Sequence, residues 1–577
     1  MIAASRRAAL GAFAGSLATP GLLRAAPLGP VTVFEAARIV TMEPAQPLAR
    51  FVAVADGMIL GVGERLEDLA VWTRGREVRH ERRFAGKVLM PGLIDPHLHP
   101  MQAAVMLNIP FNAPDDWDLP HGRFPGTRNA AAWRARFAEL LAQSRESLFI
   151  CWGWHELFHG PLGRADLDAL APDRPVVVWQ RSFHEIVVNS ATLKLWGVDQ
   201  PAAFAALLAA GGADPAHGDL GRGLFSETAL IPALARLRPV ILAPERISRG
   251  LDRLQAMMRA RGVTTTSDMA TGQFANFDLE AGMIRGAFAR PGAMQRVALM
   301  PVAMQLAGTA DLSAWLAGAQ ARFAAPNVRL ARRVKLFADG AFFAQNMRMN
   351  PPGYADGHLG KWLTPPAELA AQIQRFWAAG FSLHIHVNGD EGLDKVLDSL
   401  AQLPPPRGQT VTLEHLGYST EAQNRRIAAL GLMVSAQPNY IRVLGDIYAK
   451  EGLGADRAGA INRLGSLEAK GVTLGLHSDF NMAPVDPLYL AWIAANRETL
   501  GGNHPAPAER LSLAKALRAV TIEAAQVIGL DHMVGSIAAG KRADFVALDR
   551  DPLTAGAAAL RDVKVESVVF EGRMAEG

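Results

Sequence analysis

The chain has 577 residues, of which 50% are apolar and 20% charged, and its formal net charge is +4 at pH 7. These proportions exclude a disordered or fibrous protein, and the length predicts a large domain with at least one smaller companion. Three of the four net positive charges come from Arg6, Arg7 and Arg24, which leaves +1 for the rest of the chain. A nearly neutral chain gives no electrostatic reason to expect nucleic acid as a partner.

The N-terminus carries two adjacent arginines, Arg6 and Arg7, followed by small and apolar residues and then by Ala25-Ala26-Pro27. This pattern is typical of a twin-arginine signal peptide. We therefore expect the twin-arginine machinery to export the folded protein to the periplasm and residues 1–26 to be removed. The apolar stretch is short and is interrupted by Pro20, so we expect no stable membrane span there.

Cys151 is the only cysteine of the sequence. One thiol can form neither an intramolecular disulfide nor a cysteine-based zinc cluster, and the apolar neighbours of Cys151 predict a buried structural thiol. A metal site in this chain therefore needs His, Asp, Glu or Lys ligands.

Strand-like segments occur at both ends of the chain, at 31–62 and again at 543–548 and 563–570. Asp56-Gly57 lies between two apolar runs, as in a hairpin turn. Because the two ends of a folded chain commonly lie close together, we predict that residues 31–88 and 523–577 form one small, discontinuous β-sandwich domain.

Residues 89–522 alternate apolar runs with helical stretches rich in Ala, Leu and Arg. The runs lie at 263–268, 334–337, 382–386, 410–415, 433–437 and 472–479. This α/β alternation predicts a (β/α)8 TIM barrel, whose chemistry lies at the carboxyl ends of the strands. The stretch at about 104–260 is too long for one barrel connection. It is rich in aromatic residues, Trp154 among them, and we expect it to be a cap inserted after the first barrel strand.

The segment Ile94-Asp95-Pro96-His97-Leu98-His99 ends an apolar run with two histidines. Side chains alternate along a strand, so His97 and His99 point to the same side and can bind one divalent cation as neutral imidazoles. Four later strand ends supply further ligand types: Lys335, His386, His415 and Asp479. A buried lysine needs a partner or a chemical change, and reaction with carbon dioxide would turn Lys335 into an anionic carbamate able to bridge two metals.

The ordered series His-x-His, Lys, His, His, Asp resembles the amidohydrolase superfamily, in particular its YtcJ-like, amidohydrolase-3-type branch. The supporting motifs are Arg164-Ala165-Asp166-Leu167-Asp168, Val188-Asn189-Ser190, Gly535-Ser536-Ile537 and Ala543-Asp544-Phe545-Val546. Phe342-Phe343-Ala344-Gln345 and His217-Gly218-Asp219 depart from the residues expected in typical members. These departures leave the substrate open.

The resemblance implies a role for each ligand. His97 and His99 would bind the more buried metal, a carboxylated Lys335 would bridge, His386 and His415 would bind a second metal, and Asp479 would join them. We expect zinc, with one or two ions per chain, and catalytic roles for Asp479 and His415. His184, Trp154 and Phe342 are the predicted substrate contacts, whereas His384 and His477 are expected to be hydrogen-bond partners.

The predicted activity is hydrolysis of an amide, formamide or cyclic amide bond in a small, partly apolar molecule by metal-activated water. A deaminase, an esterase or an isomerase could use much the same ligands, and a catalytically silent periplasmic binding protein is an alternative of another class. Fold alone does not choose among these activities. The sequence also leaves homo-oligomerisation open.

Replacing Arg6 and Arg7 together with lysine should trap the precursor in the cytoplasm, because the twin-arginine signal is recognised through these two side chains. Cell fractionation followed by immunoblotting measures the outcome. Unchanged export of the double variant would contradict the twin-arginine assignment.

Overall fold

A computed structural model of the protein describes residues 29–574. The predicted signal peptide at 1–26 lies outside this range. Among the helices of the described range, none has both the length and the apolarity needed to cross a bilayer.

The strands, numbered in chain order, are β1 Val31–Val40, β2 Leu48–Ala55, β3 Met58–Gly63, β4 Val78–Glu81, β5 Val88–Pro91, β6 Leu93–Leu98, β7 Trp117–Leu119, β8 Gly122–Phe124, β9 Phe149–Trp154, β10 Val176–Gln180, β11 Glu185–Val188, β12 Gly218–Asp219, β13 Leu224–Ser226, β14 Val263–Thr271, β15 Arg296–Pro301, β16 Val328–Leu330, β17 Arg333–Phe337, β18 Ser382–Val387, β19 Val411–His415, β20 Met433–Ala436, β21 Leu474–Leu476, β22 Phe545–Leu548, β23 Val565–Phe570 and β24 Arg573–Met574.

The α-helices are α1 Ala70–Thr73, α2 Pro100–Met106, α3 Ala130–Gln143, α4 Glu156–His159, α5 Arg164–Leu170, α6 Ser190–Leu195, α7 Pro201–Ala210, α8 Leu230–Ile241, α9 Pro244–Ala260, α10 Phe277–Phe288, α11 Leu312–Phe323, α12 Pro366–Ala378, α13 Asp390–Leu400, α14 Glu421–Ala429, α15 Asn439–Ile447, α16 Ala455–Gly459, α17 Leu464–Ala469, α18 Pro487–Asn496, α19 Leu513–Arg518, α20 Ile522–Ile528 and α21 Pro552–Ala555.

Strands from both ends of the chain share one sheet, in the order β24-β23-β22-β5-β1-β2-β3, with β4 added beside β1. The turn at Asp56-Gly57 joins β2 to β3, and both residues have positive φ. Apolar residues of β1, β2, β3, β5, β22 and β23 meet in one core, in which the rings of Phe34 and Phe545 lie 5.7 Å apart. The two chain ends therefore form one folded unit.

The centre of the chain contains two parallel sheets, one in the order β16-β15-β14-β6 and one in the order β17-β18-β19-β20-β21. A parallel bridge between Val302 and Lys335 joins β15 to β17. At the other end of the series, the amide of Asp479, just after β21, donates to the carbonyl of His97 in β6 at 3.0 Å. These strands are almost completely buried, as the apolar runs predict.

A third sheet, in the order β12-β13-β11-β10-β9, belongs to the segment between β6 and β14, which is called the inserted segment below. Its strands pack with helices α3, α5, α6 and α8 and bury Trp152 and Trp179. Helix α9, which ends the segment, instead packs against α2 and β14.

The α/β class predicted from the sequence is confirmed, and each of the six predicted central runs contains a strand. Strand β15 was not predicted, because its first residue, Arg296, and its last, Pro301, obscure the apolar run between them. The predicted boundary at residue 88 falls at the start of β5, which pairs with β1 and β22. Helix α20, assigned by sequence to the terminal domain, packs on β6 and β21 instead.

The fully buried Arg296 joins the central and terminal sheets. Its guanidinium donates to Asp544 at 2.8 Å and to Glu571 at 3.0 Å. Arg296→Met should lower the free energy of unfolding by about 3–5 kcal/mol, because it leaves the buried Asp544 carboxylate without its cation. Urea denaturation measures the change. Arg322→Met breaks an exposed pair with Asp278 and should cost less than about 1 kcal/mol. Equal losses in the two variants would contradict the assignment.

Candidate active site

A cavity of about 550 Å³ opens at the carboxyl ends of the parallel strands. The sequence predicted six metal ligands, and all six line this cavity: His97, His99, Lys335, His386, His415 and Asp479. Five different strands or strand ends therefore converge on one volume, as expected where parallel strands end together.

His97, His99 and Asp479 form the tightest group. The Oδ1 atom of Asp479 lies 3.1 Å from His99 Nε2 and 3.7 Å from His97 Nε2. One ligand atom from each of the three residues lies within 4.8 Å of the other two, a spacing that can hold a metal ion. The His-x-His pair and the aspartate, 380 residues later in the chain, thus meet at one point.

A second such group consists of His97, His415 and His477. The Nδ1 of His415 lies 3.2 Å from Nε2 of His477, whose own Nδ1 lies 2.7 Å from the Ser435 hydroxyl. The His386 ring lies 4.6 Å from the His415 ring. His477 therefore lies among the predicted metal ligands, closer to them than the sequence suggested.

Two of these residues have backbones in the left-handed region, His415 with φ of 71° and Asp479 with φ of 47°. This region is costly for residues other than glycine and is found mainly where function requires it. His415 is the last residue of β19 and Asp479 follows β21. At both positions the side chain is therefore free of the rule that successive residues of a strand face opposite sides.

The donor set fits a divalent cation. Three buried atoms here have no hydrogen-bond partner: His97 Nε2, His99 Nδ1 and Lys335 Nζ. Burial lowers the pKa of His386 to about 3 and that of His477 to about 4, so both imidazoles are neutral at pH 7. Burial also lowers the pKa of Lys335, to about 8. Neutral imidazoles with an ionised Asp479 are the forms that bind metals.

Glu414 is a site residue that the sequence analysis missed. Its carboxylate is completely buried and lies 2.7 Å from His97 Nδ1 and 2.6 Å from His384 Nδ1. In a regular strand, neighbouring side chains face opposite sides, which would keep Glu414 and His415 from contributing to one site. The positive φ of His415 removes that restriction. The available signal was a charged residue within an otherwise apolar run.

The predicted substrate contacts differ in their placement. Phe342 lines the cavity and stacks on Tyr440, with ring centres 4.2 Å apart. His184 also lines it, and its Nδ1 lies 2.9 Å from Glu227. Burial by itself would lower the pKa of His184, but the Glu227 carboxylate beside it raises that pKa overall.

Trp154 does not line the cavity, so its predicted role in substrate binding is corrected. Its indole is 1% exposed and donates to the carbonyl of Gly160 at 3.1 Å. The side chain packs inside the inserted segment because it closes a local turn there.

Arg181 links the inserted segment to the loop after Asp479. Its buried guanidinium pairs with Asp115 at 3.0 Å and donates to the carbonyls of Asn481 and Met482 at 2.9 Å each. The guanidinium also lies over the ring of Phe343, 4.4 Å from its centre. No motif in the sequence around Arg181 predicts these contacts.

The sequence model of a protein family described as "Amidohydrolase family" matches residues 85–575 of this chain. The chain is 26% identical to the N-substituted formamide deformylase of Arthrobacter pascens, over 93% of this chain and 96% of that protein. It is also 26% identical to the protein YtcJ of Bacillus subtilis, over 91% of this chain and 95% of that protein. The crystal structure of an uncharacterized metal-dependent hydrolase from Pyrococcus horikoshii has the same fold. Its TM-score is 0.68 at 21% identity, over 91% of this chain and 99% of that one.

Zn²⁺ should raise the unfolding temperature of the metal-free protein, because a ligand at a hundred times its Kd stabilises the folded state by about 2.7 kcal/mol. Differential scanning calorimetry measures the shift. His97→Ala should lose most of it. His80→Ala, which changes an exposed histidine on β4, should keep it in full. A His97→Ala shift equal to that of the unsubstituted protein would argue against this site.

Proposed function

We propose, from the premise that the chain belongs to the amidohydrolase family, that it hydrolyses a non-peptide carbon–nitrogen bond in a small, partly apolar molecule. The family predicted from the sequence is confirmed by the match over residues 85–575. The observation that carries the proposal is the convergence of His97, His99 and Asp479 at one point of the cavity.

We assign the binding of one or two divalent cations, zinc by preference, to the six predicted ligands, with His477 as an additional neighbour. Such a cation lowers the pKa of a coordinated water to near neutrality and polarises a carbonyl oxygen. Imidazole and carboxylate donors are the ligand types that zinc takes in hydrolases.

Lys335 completes the ligand set as a carbamate. The Nζ atom is buried without a hydrogen-bond partner, and burial lowers its pKa to about 8, which increases the neutral fraction of the amine. A neutral amine adds to carbon dioxide by forming an N–C bond and releasing one proton. The anionic product suits a position among cations, where an ammonium would be repelled.

Asp479 moves the proton. Its Oδ1 lies 3.1 Å from His99 Nε2, whereas Oδ2 lies 3.7 Å from His415 Nδ1. Hydrogen bonding and charge from His99 hold the pKa of Asp479 below its ordinary value despite burial, so the carboxylate is a base at neutral pH. We assign to Oδ2 the acceptance of a proton from the attacking water and its return to the departing nitrogen.

The entrance of the cavity favours an apolar substituent on the substrate. Ile231 on α8 and Met304, just after β15, line the cavity although they are 50% and 68% exposed. Exposed apolar side chains at the rim of a cavity are typical of a binding surface. N-substituted formamides, on which a relative acts by its name, combine such a substituent with a carbon–nitrogen bond.

We also propose that β6, β14, β15 and β17 to β21 close into a (β/α)8 TIM barrel, with the segment at about 104–260 as its cap. The Val302–Lys335 bridge and the bond from Asp479 to His97 support closure. In the terminal sheet, the shared core around Phe34 and Phe545 supports a β-sandwich formed by two halves that pack on each other.

The test is a turnover panel with metal-loaded protein on N-substituted formamides, N-acyl amines, cyclic amides and esters, each with an apolar and with a charged substituent. We expect hydrolysis of at least one carbon–nitrogen class and a preference for the apolar member. Turnover of esters alone would contradict the proposed bond. Bound metal without turnover on a broad panel would favour a binding protein.

Asp479→Asn should lower kcat by roughly a hundredfold to ten-thousandfold, the range for removal of a general acid–base group, with little change in KM. The substitution keeps the shape of the side chain, so metal content by mass spectrometry should stay close to that of the unsubstituted protein. Asp456→Asn, on the exposed face of α16, should leave kcat unchanged. Near-normal turnover of a fully metallated Asp479→Asn variant would assign the proton transfer to another group.

A further inference from the structure

A continuous row of polar contacts, fully buried from His384 onward, leads from Arg333 at the start of β17 to His97 in the site. Arg333 Nη1 lies 2.9 Å from His384 Nε2, and His384 Nδ1 lies 2.6 Å from Glu414 Oε1. The other oxygen of the same carboxylate, Oε2, lies 2.7 Å from His97 Nδ1. The side chains of His97, His384 and Glu414 have no exposed surface.

The chemistry of the donors determines where each proton lies. A guanidinium can only donate, so His384 Nε2 accepts from Arg333 and carries no proton. The proton of the neutral His384 ring must then be on Nδ1, which donates to Glu414. The ionised carboxylate can only accept, so His97 Nδ1 also donates to it. His97 Nε2 is left with a free lone pair, and it is one of the buried atoms without a partner.

We propose that Arg333 is a positioning residue that acts through His384 and Glu414 to fix the tautomer of His97 and to orient its Nε2 lone pair toward the bound cation. This inference rests on the metal-dependent function proposed above. It adds residues that lie on the far side of the ligand from the cation.

The position of Arg333 is set by the C-terminal end of helix α20. Nη1 also donates to the carbonyl of Val527 at 3.1 Å, where the helix dipole favours a cation. Gly529, with φ of 72°, ends this helix, and a Cβ built on it would lie 2.0 Å from Arg333 Nη2. The guanidinium thus occupies space that depends on the absence of a side chain at residue 529.

Loss of the guanidinium frees His384 to move its proton to Nε2 and Glu414 to leave His97. Changes to the residues that orient a metal ligand typically weaken metal binding by roughly ten- to a hundredfold. We therefore expect Arg333→Met to raise the Kd of the metal-free protein for Zn²⁺ by that factor. Glu414→Gln should raise it by a similar factor. Arg333→Lys, which keeps a donor, should fall between Arg333→Met and the unsubstituted protein.

Competition with a chromogenic chelator measures Kd, and Arg332→Met is the matched control. The guanidinium of the neighbouring Arg332 instead donates to the Ser313 hydroxyl and the Ala379 carbonyl at the surface. Its removal should leave Kd unchanged. A Kd for folded Arg333→Met equal to that of Arg332→Met would overturn the proposal.

A second test observes the ring protons in the unsubstituted protein itself. Long-range ¹H–¹⁵N correlation spectra of metal-free protein labelled with ¹⁵N-histidine report which ring nitrogen carries the proton. The signals of His97 and His384 are assigned by their loss in His97→Gln and His384→Gln. Both rings should be protonated on Nδ1. A proton on Nε2 of either ring would overturn the inference, whereas failure of the protein to bind any divalent cation would instead refute the proposed function.

Discussion

The site depends on the two hydrogen bonds that the buried carboxylate of Glu414 accepts from His97 and His384. A charge with no exposed surface is tolerated only when it is paired or hydrogen-bonded. Here each oxygen of the carboxylate accepts a hydrogen bond from one imidazole. Burial alone would raise the pKa of Glu414, but the hydrogen bond from His384 holds it below its ordinary value. The fixed negative charge in turn keeps His97 in one orientation and attracts a cation.

The need to bring histidines and carboxylates from several strands to one point explains the unusual backbone around the site. Strands β17, β18 and β19 are parallel and in register, with Lys335 beside His384 and His386 beside Glu414. Regular strands alone would place His415 away from Glu414. The left-handed residues His415 and Asp479 sit where β19 and β21 end and bring their side chains back toward the others. Local backbone strain at these two points is compensated by the rigid parallel strands beneath them.

The sequence was sufficient to predict those parts of the molecule that depend on local pattern. Apolar runs that end in titratable residues were enough to predict most central strands and to predict that the His-x-His pair and the four later residues meet in one cavity. It was not sufficient where a long-range contact decides. Nothing near Glu414, Arg333 or Arg181 shows which distant group each meets. Trp154 and Phe342 are equally aromatic in the sequence, and only packing places one inside the inserted segment and the other on the cavity.

The inserted segment both lines the cavity and holds the loop after Asp479. Arg181 uses one guanidinium to hold Asp115 of that segment and the carbonyls of Asn481 and Met482, which follow Asp479. Gln102 and Asn439 bind the same short loop from α2 and α15. The loop that follows Asp479 is therefore held from three directions, one of which is the segment that also lines the cavity. A displacement of that segment would reach Asp479 through Arg181, so under the proposed mechanism a substrate that contacts the segment would also affect the position of Asp479.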